Sequence, residues 1–149
     1  VEELDMADSA EPLALDAFQA QARAWVEENF PASLRGKAVL ATGEADESGD
    51  GAELALWRHR IGAKGWATPT WPKAYGGGGL SREEARVLSR EMARAGAFNP
   101  LMFGMGVTMV GPTLLDYGTE EQKQRHIPPI VRGEVRWCIG YSEPNAGSD

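Results

Sequence analysis

The sequence predicts a mostly α-helical domain that turns to β structure only near its C-terminal end. Apolar residues recur three and four apart along most of the 149-residue chain, the spacing that gathers one face of a helix. Two short runs, Ser81-Arg-Glu-Glu84 and Thr119-Glu-Glu-Gln122, have the form of a capping box, the signature of a helix start. Only after Gly133 does the apolar period drop to two, as on a pleated strand.

Taken in order, residues 1–10 lack periodicity, and residues 1–12 are expected to be disordered. Over residues 15–29, Phe18, Ala22, Trp25 and Val26 share a stripe while Gln19, Arg23 and Glu27 face away. Pro31 closes that helix. Residues 42–51 carry little worth burying and read as an exposed loop. A second helix is expected over 52–61, through Leu54, Trp57 and Ile61, ending near Gly62 and Gly65. Pro69, Trp71-Pro72 and Tyr75 followed by four glycines exclude both a helix interior and a central strand.

The first capping box opens a helix that reaches about Ala95, with Ala85, Leu88 and Met92 on its buried face. Asn99-Pro100 opens another helical stretch, rich in Met102, Phe103, Met105 and Met109. Gly111-Pro112 interrupts it, and a short helix is possible over 112–117. The second capping box starts a helix that ends before Pro128-Pro129. The strand is expected over 135–141, with Val135, Trp137, Ile139 and Tyr141 on one face. It has no partner within the chain, so its backbone groups ask for a second domain.

Composition excludes several functions. Hydrophobic residues at 42% and charged residues at 25% are ordinary for a soluble domain. The 15 basic and 22 acidic residues leave a net charge of −7. No basic block is interleaved with aromatics, which argues against a nucleic-acid partner. The single cysteine, Cys138, cannot form an internal disulfide, which fits a reducing compartment, and a cytoplasmic location is expected. No apolar run approaches the ~20 residues that span a bilayer. His59 and His126 read as surface residues, and no Cys, His, Asp or Glu grouping has metal-ligand spacing. The glycines at 76–79 are not a phosphate loop, because no Lys-Ser/Thr follows and no strand precedes them.

Three ordered motifs carry a resemblance. Tyr141-Ser-Glu-Pro-Asn-Ala-Gly-Ser-Asp149 is similar to the strand-to-loop signature of the acyl-CoA dehydrogenase family. Upstream of it stand Gly118-Thr-Glu-Glu-Gln-Lys-Gln-Arg-His-Ile-Pro-Pro-Ile and Gly133-Glu134. Further upstream, Gly65-Trp66, Pro69, Tyr75-Gly-Gly and Gly79-Leu-Ser81 resemble the family's loop before its third major helix. Together they cover residues 65–149, more than half of the chain.

The resemblance implies an acyl-CoA dehydrogenase-like fold. Residues 1–133 would form its N-terminal helical domain, and residues 134–149 would begin a central β-barrel domain. The start at Val1 and the end at Gly-Ser-Asp read as the bounds of a fragment. The implied activity is α,β-dehydrogenation of acyl-CoA thioesters with FAD as cofactor and an electron-transferring flavoprotein as acceptor. A homo- or hetero-oligomer is implied as well. Ile139, Gly140, Tyr141, Ser142 and Ser148 would lie along the flavin. In Ser142 the family's usual threonine is replaced by serine, which keeps the hydroxyl but loses the methyl that restricts its rotamer. Ser142 read without its flanking motif is a turn-forming serine before Glu-Pro.

Ser148 would also meet the substrate, together with Met105 and Met109 in the run 101–112. That run either lines the acyl cavity or packs closely against another helix, and its methionines also read as core filler. The family's catalytic glutamate is expected beyond Asp149, so no catalytic base is assigned and these residues alone are expected to be inert. Competing readings are a non-catalytic subunit of a heteromeric dehydrogenase, a flavin oxidase or monooxygenase of the same fold, and a free-standing helical interaction domain.

Overall fold

The computed structural model describes residues 7–42 and 50–147. The loop expected at 42–51 falls largely outside the described residues, and Ser148, expected to contact flavin, wholly outside them. Among the described residues five α-helices follow one another: α1 (Ala7–Asn29), α2 (Gly51–Ala63), α3 (Arg82–Arg94), α4 (Gly111–Tyr117) and α5 (Glu120–Val131). Helix α1 begins at Ala7, well ahead of the start its apolar stripe marks, in a segment of alanine and acidic residues compatible with helix.

The core forms where α1 packs on α3, with α2 and the segment after it closing the side. Phe18, Ala22, Val26 and Phe30 supply the face of α1, and Val87, Leu88 and Met92 that of α3. Trp57 is fully buried at their centre. Its ring meets Phe30 edge-on at 5.0 Å between centroids and Trp25 at 5.8 Å, and Trp25 meets Trp66 at 4.9 Å. The indole N–H of Trp57 donates to the Phe98 carbonyl at 2.8 Å, satisfying a polar group that burial would otherwise leave unpaired.

One buried group interrupts the apolar face of α3. The carboxylate of Glu91, only 3% exposed, accepts from Gln19 at 2.7 Å, from Arg23 at 3.0 and 3.2 Å and from Arg94 at 2.8 Å. Gln19 and Arg23 thus reach across to α3 rather than simply facing solvent. These donors hold the Glu91 carboxyl at about 2, because each favours the charged form.

Both capping boxes form. Ser81 Oγ accepts from the Glu84 N–H at 3.1 Å while Glu84 accepts from the Ser81 N–H at 2.7 Å. Thr119 and Gln122 repeat the exchange at 3.2 and 2.9 Å.

Three expectations are corrected. Pro128 and Pro129 lie inside α5, which runs to Val131. The two intrahelical bonds that they cannot make would have ended on the carbonyls of Gln124 and Arg125, exposed residues open to water. Burial of Ile127, Ile130 and Val131, at most 2% exposed, keeps the helix going. Second, Gly111-Pro112 does not interrupt the helical path. A π turn over Gly106–Val110 leads straight into α4, and residues 101–104 form turns rather than helix. The Thr113 hydroxyl donates to the Met109 carbonyl at 2.8 Å and the Thr108 hydroxyl to that of Gly104 at 3.1 Å, occupying carbonyls at the irregular register. Third, residues 135–141 form no strand ladder. The segment is unpaired because no other described segment offers a strand edge, and the isolated bridge between Glu143 and Ala146 is a local turn.

The glycine run is a packing device. The N–H groups of Gly77, Gly78 and Gly79 donate to the carbonyls of Pro72, Thr68 and Trp71 at 3.1, 3.1 and 2.8 Å. A Cβ on Gly77 would lie 2.4 Å from the Trp71 carbonyl oxygen. These amides are spent inside the loop and are not free to cradle an anion.

Candidate functional site

A cleft of about 260 Å³ opens between the start of the π turn, the end of α5 and the extended segment that follows it. Two glycines shape it. A Cβ on Gly106 would stand 3.1 Å from both Ile130 Cγ2 and Trp137 Cδ1, so only glycine lets those side chains close on the π turn. Gly133, at φ +67°, ends α5 in the left-handed region. A Cβ there would meet Leu101 at 2.8 Å and the stem of Arg58 at 3.0 Å.

The cleft wall is apolar at Phe103, Met105, Val107 and Ile130, and cationic at Arg58 and Arg136. Arg58 is half-buried. Burial first, and then the neighbouring Arg136, pull its guanidinium below the usual value. Sequence reasoning passed over both arginines. Arg58 belongs to a basic cluster too short to signal anything, and Arg136 is one residue of an alternating run.

The residues expected to contact flavin lie just beyond. Ile139, Gly140, Tyr141 and Ser142 are all exposed, Tyr141 at 84%. Of the four residues expected on one strand face, only Trp137 is partly covered, and His126 meets its ring edge-on at 5.8 Å. The backbone groups of 139–142 make no hydrogen bond among the described residues. Nothing stands within 4 Å of a Cβ built on Gly140. The turn at 143–146 brings Gly147 back, so that its Cβ would lie 3.2 Å from Ser142 Oγ. A hydroxyl, open backbone donors and free space over Gly140 are what the polar edge of a planar ring requires, and the segment fits an FAD contact in that respect.

Met102, Met105 and Met109 are not core filler. Met105 is 38% exposed and lines the cleft, while Met109 is 44% exposed and lines neither cavity. Met102 borders a second, more apolar cavity of about 370 Å³ beside α3, with Trp66, Leu88 and Met92. Met105 shares its cleft with Val135, Arg136 and Trp137, and the cleft lining stops short of Ile139, the first residue expected to meet flavin. His59 is exposed and His126 half-buried. Among the described residues no helix is long and apolar enough to cross a membrane, and no three His, Cys, Asp or Glu side chains gather as metal ligands.

The described residues form a helical domain with two box-capped helices, α3 and α5, followed by an unpaired segment that ends in the turn at 143–146. The family described as acyl-CoA dehydrogenase, N-terminal domain, matches residues 2–134, and the chain belongs to the acyl-CoA dehydrogenase family. It is 37% identical over 133 residues to the acyl-CoA dehydrogenase IpdE1 of Mycolicibacterium smegmatis, covering 89% of this chain and 33% of that protein. The IpdE1 of Mycobacterium tuberculosis is 36% identical over 91% of this chain and 34% of its own length. Among solved structures, the Tcur3481-Tcur3483 steroid ACAD superposes with a TM-score of 0.63 at 38% identity, over 91% of this chain and 33% of that one. The ChsE4-ChsE5 complex from Mycobacterium tuberculosis superposes with a TM-score of 0.60 at 30% identity, over 90% and 31%. The chain thus spans about a third of the length of the relatives it matches.

Proposed function

We propose that this chain forms the N-terminal helical domain, over residues 1–133, of an FAD-dependent acyl-CoA dehydrogenase, with residues 134–149 entering its central β domain. The observation that carries the reading is the open segment at 139–142, with its free hydroxyl and unpaired backbone, directly after the family-matched residues 2–134. FAD, when bound, supplies the hydride acceptor for the β-hydrogen of the thioester. The hydroxyl of Ser142, with the backbone of Ile139, Gly140 and Tyr141, donates to the polar edge of the ring, which favours negative charge there. Ser148 meets the cofactor loop and the CoA arm, and Met105 gives the acyl group an apolar wall. The α-proton is taken by a base from outside these residues, and the electrons pass to an electron-transferring flavoprotein.

Two finer readings draw on the relatives. The matched structures are named as pairs of chains, which supports assembly with a second, related subunit. One of them is named a steroid ACAD, so the acyl group proposed here is of steroid type.

The test is the visible spectrum of the full-length protein, purified alone and with its neighbouring subunit, followed anaerobically with linear, branched and steroid-derived acyl-CoA thioesters. Bleaching of a flavin band by the steroid thioester supports the reading in full. Bleaching by linear thioesters alone keeps the activity and removes the steroid assignment. A flavin that no thioester bleaches turns the reading toward an oxidase or monooxygenase. Flavin present only with the second chain identifies this one as the partner subunit.

A further inference from the structure

We infer that the cleft between Arg58 and Arg136 receives a small apolar ligand carrying an oxyanion, a carboxylate or a phosphate, held by the two guanidiniums beside the ring of Trp137. The inference stands on the cleft alone and does not depend on the dehydrogenase reading.

Three observations converge on the same opening. Arg58 and Arg136 both line it, and neither makes an ion pair or hydrogen bond among the described residues. The carboxylate next in sequence, Glu134, is already occupied by Arg132 through bonds of 2.7 and 2.9 Å. Two like charges facing one cavity, one of them half-buried, are unfavourable without a counter-charge, and burial and mutual repulsion both act on Arg58. Trp137 lines the cleft too, so its ring reports on what enters. An oxyanion offers several acceptor positions and a full negative charge, which suits a cluster of donors without a carboxylate.

The wall sets the rest of the ligand. Phe103, Met105 and Ile130 are apolar. The volume of about 260 Å³ lies just under the range of roughly 300–1,000 Å³ usual for drug-sized ligands. A short hydrocarbon body fits; a bulky polar one does not.

The test uses nitrogen-labelled full chain, whose five tryptophans give separate indole N–H signals, with Trp137→Phe assigning the signal from the cleft. Hexanoate, hexyl phosphate and hexanol are titrated in turn. The expected result is a saturable shift of the Trp137 signal with at least one anion and none with hexanol. Arg58→Gln and Arg136→Gln each weaken that anion about tenfold or more, the loss of one charge-assisted bond. Arg58→Lys, which keeps the charge, retains most of the affinity, and melting temperatures of the two glutamine variants stay at or above the parent's. The tighter anion identifies the carboxylate or the phosphate as the head group. A Trp137 signal unmoved by either anion, an equal response to hexanol, or undiminished affinity in both glutamine variants overturns the site.

Discussion

The indole of Trp71 covers Gly111 so closely that a Cβ on the glycine would stand 2.0 Å from the ring's Cη2 atom. Gly111 sits where the π turn passes into α4, and Trp71 belongs to the loop whose backbone the glycine run clasps. The ring is therefore fixed from below and cannot easily yield. Gly111→Ala is expected to destabilise the fold by about 1–3 kcal/mol, the usual cost of overpacking. In a Trp71→Ala background the same change should turn mildly stabilising, by up to about 1 kcal/mol, because alanine is the better helix former. Urea unfolding of the four variants gives the coupling. Equal losses in both backgrounds would refute the contact as the cause.

The buried Glu91 makes stability depend on acid. Its folded-state value of about 2 lies below the ordinary 4.5, so the unfolded chain takes up the proton first as pH falls. The stabilisation is fully present above about 4.5 and is lost progressively toward 2. The urea midpoint should drop between pH 5 and about 2.5 more steeply in the parent than in Glu91→Gln. At pH 7 the variant should be weaker by roughly 2–3 kcal/mol, the worth of hydrogen bonds to a charged group. Parallel pH profiles for the two proteins would count against the assignment.

The two capping boxes predict separable effects. Ser81→Ala and Thr119→Ala should each cost about 1 kcal/mol. Their sum should be additive, since the caps open different helices, α3 and α5, and share no hydrogen-bond partner. Restoring aspartate at either site should recover most of the loss, because a carboxylate both caps and complements the helix N-terminus. Thermal unfolding reads all of this, and a loss below a few tenths of a kcal/mol at either site would show that end to be frayed.

What could be read in advance followed the range of the interactions. The capping boxes need only residues three apart, and the stripes of α1 and α3 need only a helix and a core. Both were legible. Glu91 was not anticipated, although it stands four places after Val87 and three after Leu88, on their stripe. Its position pointed inward while its charge pointed outward, and the decision lay with Gln19 and Arg23, 72 and 68 residues away. The prolines of α5 misled for the opposite reason: a local rule was overridden by the burial of Ile127, Ile130 and Val131. The alternation at 135–141 was read correctly as a pattern, but a strand needs a partner edge, and none exists among the described residues. In the cleft, Arg58 and Arg136, 78 residues apart in the sequence, meet only through the fold.

The aromatic centre gives the last prediction. Trp57 is fully buried, and its N–H is the donor that reaches the Phe98 carbonyl. Trp57→Phe keeps an aromatic ring against Phe30 but leaves that carbonyl, on a residue only 6% exposed, without its bond. The cost of a buried unsatisfied acceptor is about 1–3 kcal/mol. Trp57→Ala adds a cavity among α1, α2 and the segment after α3 that carries Phe98, and should cost about 3–5 kcal/mol. Carbonyl-13C chemical shift of Phe98, read in Trp57→Phe against the parent, isolates the hydrogen bond from the change in packing. A shift unchanged by the substitution would mean that water replaces the indole, and the phenylalanine variant should then lose less than 1 kcal/mol.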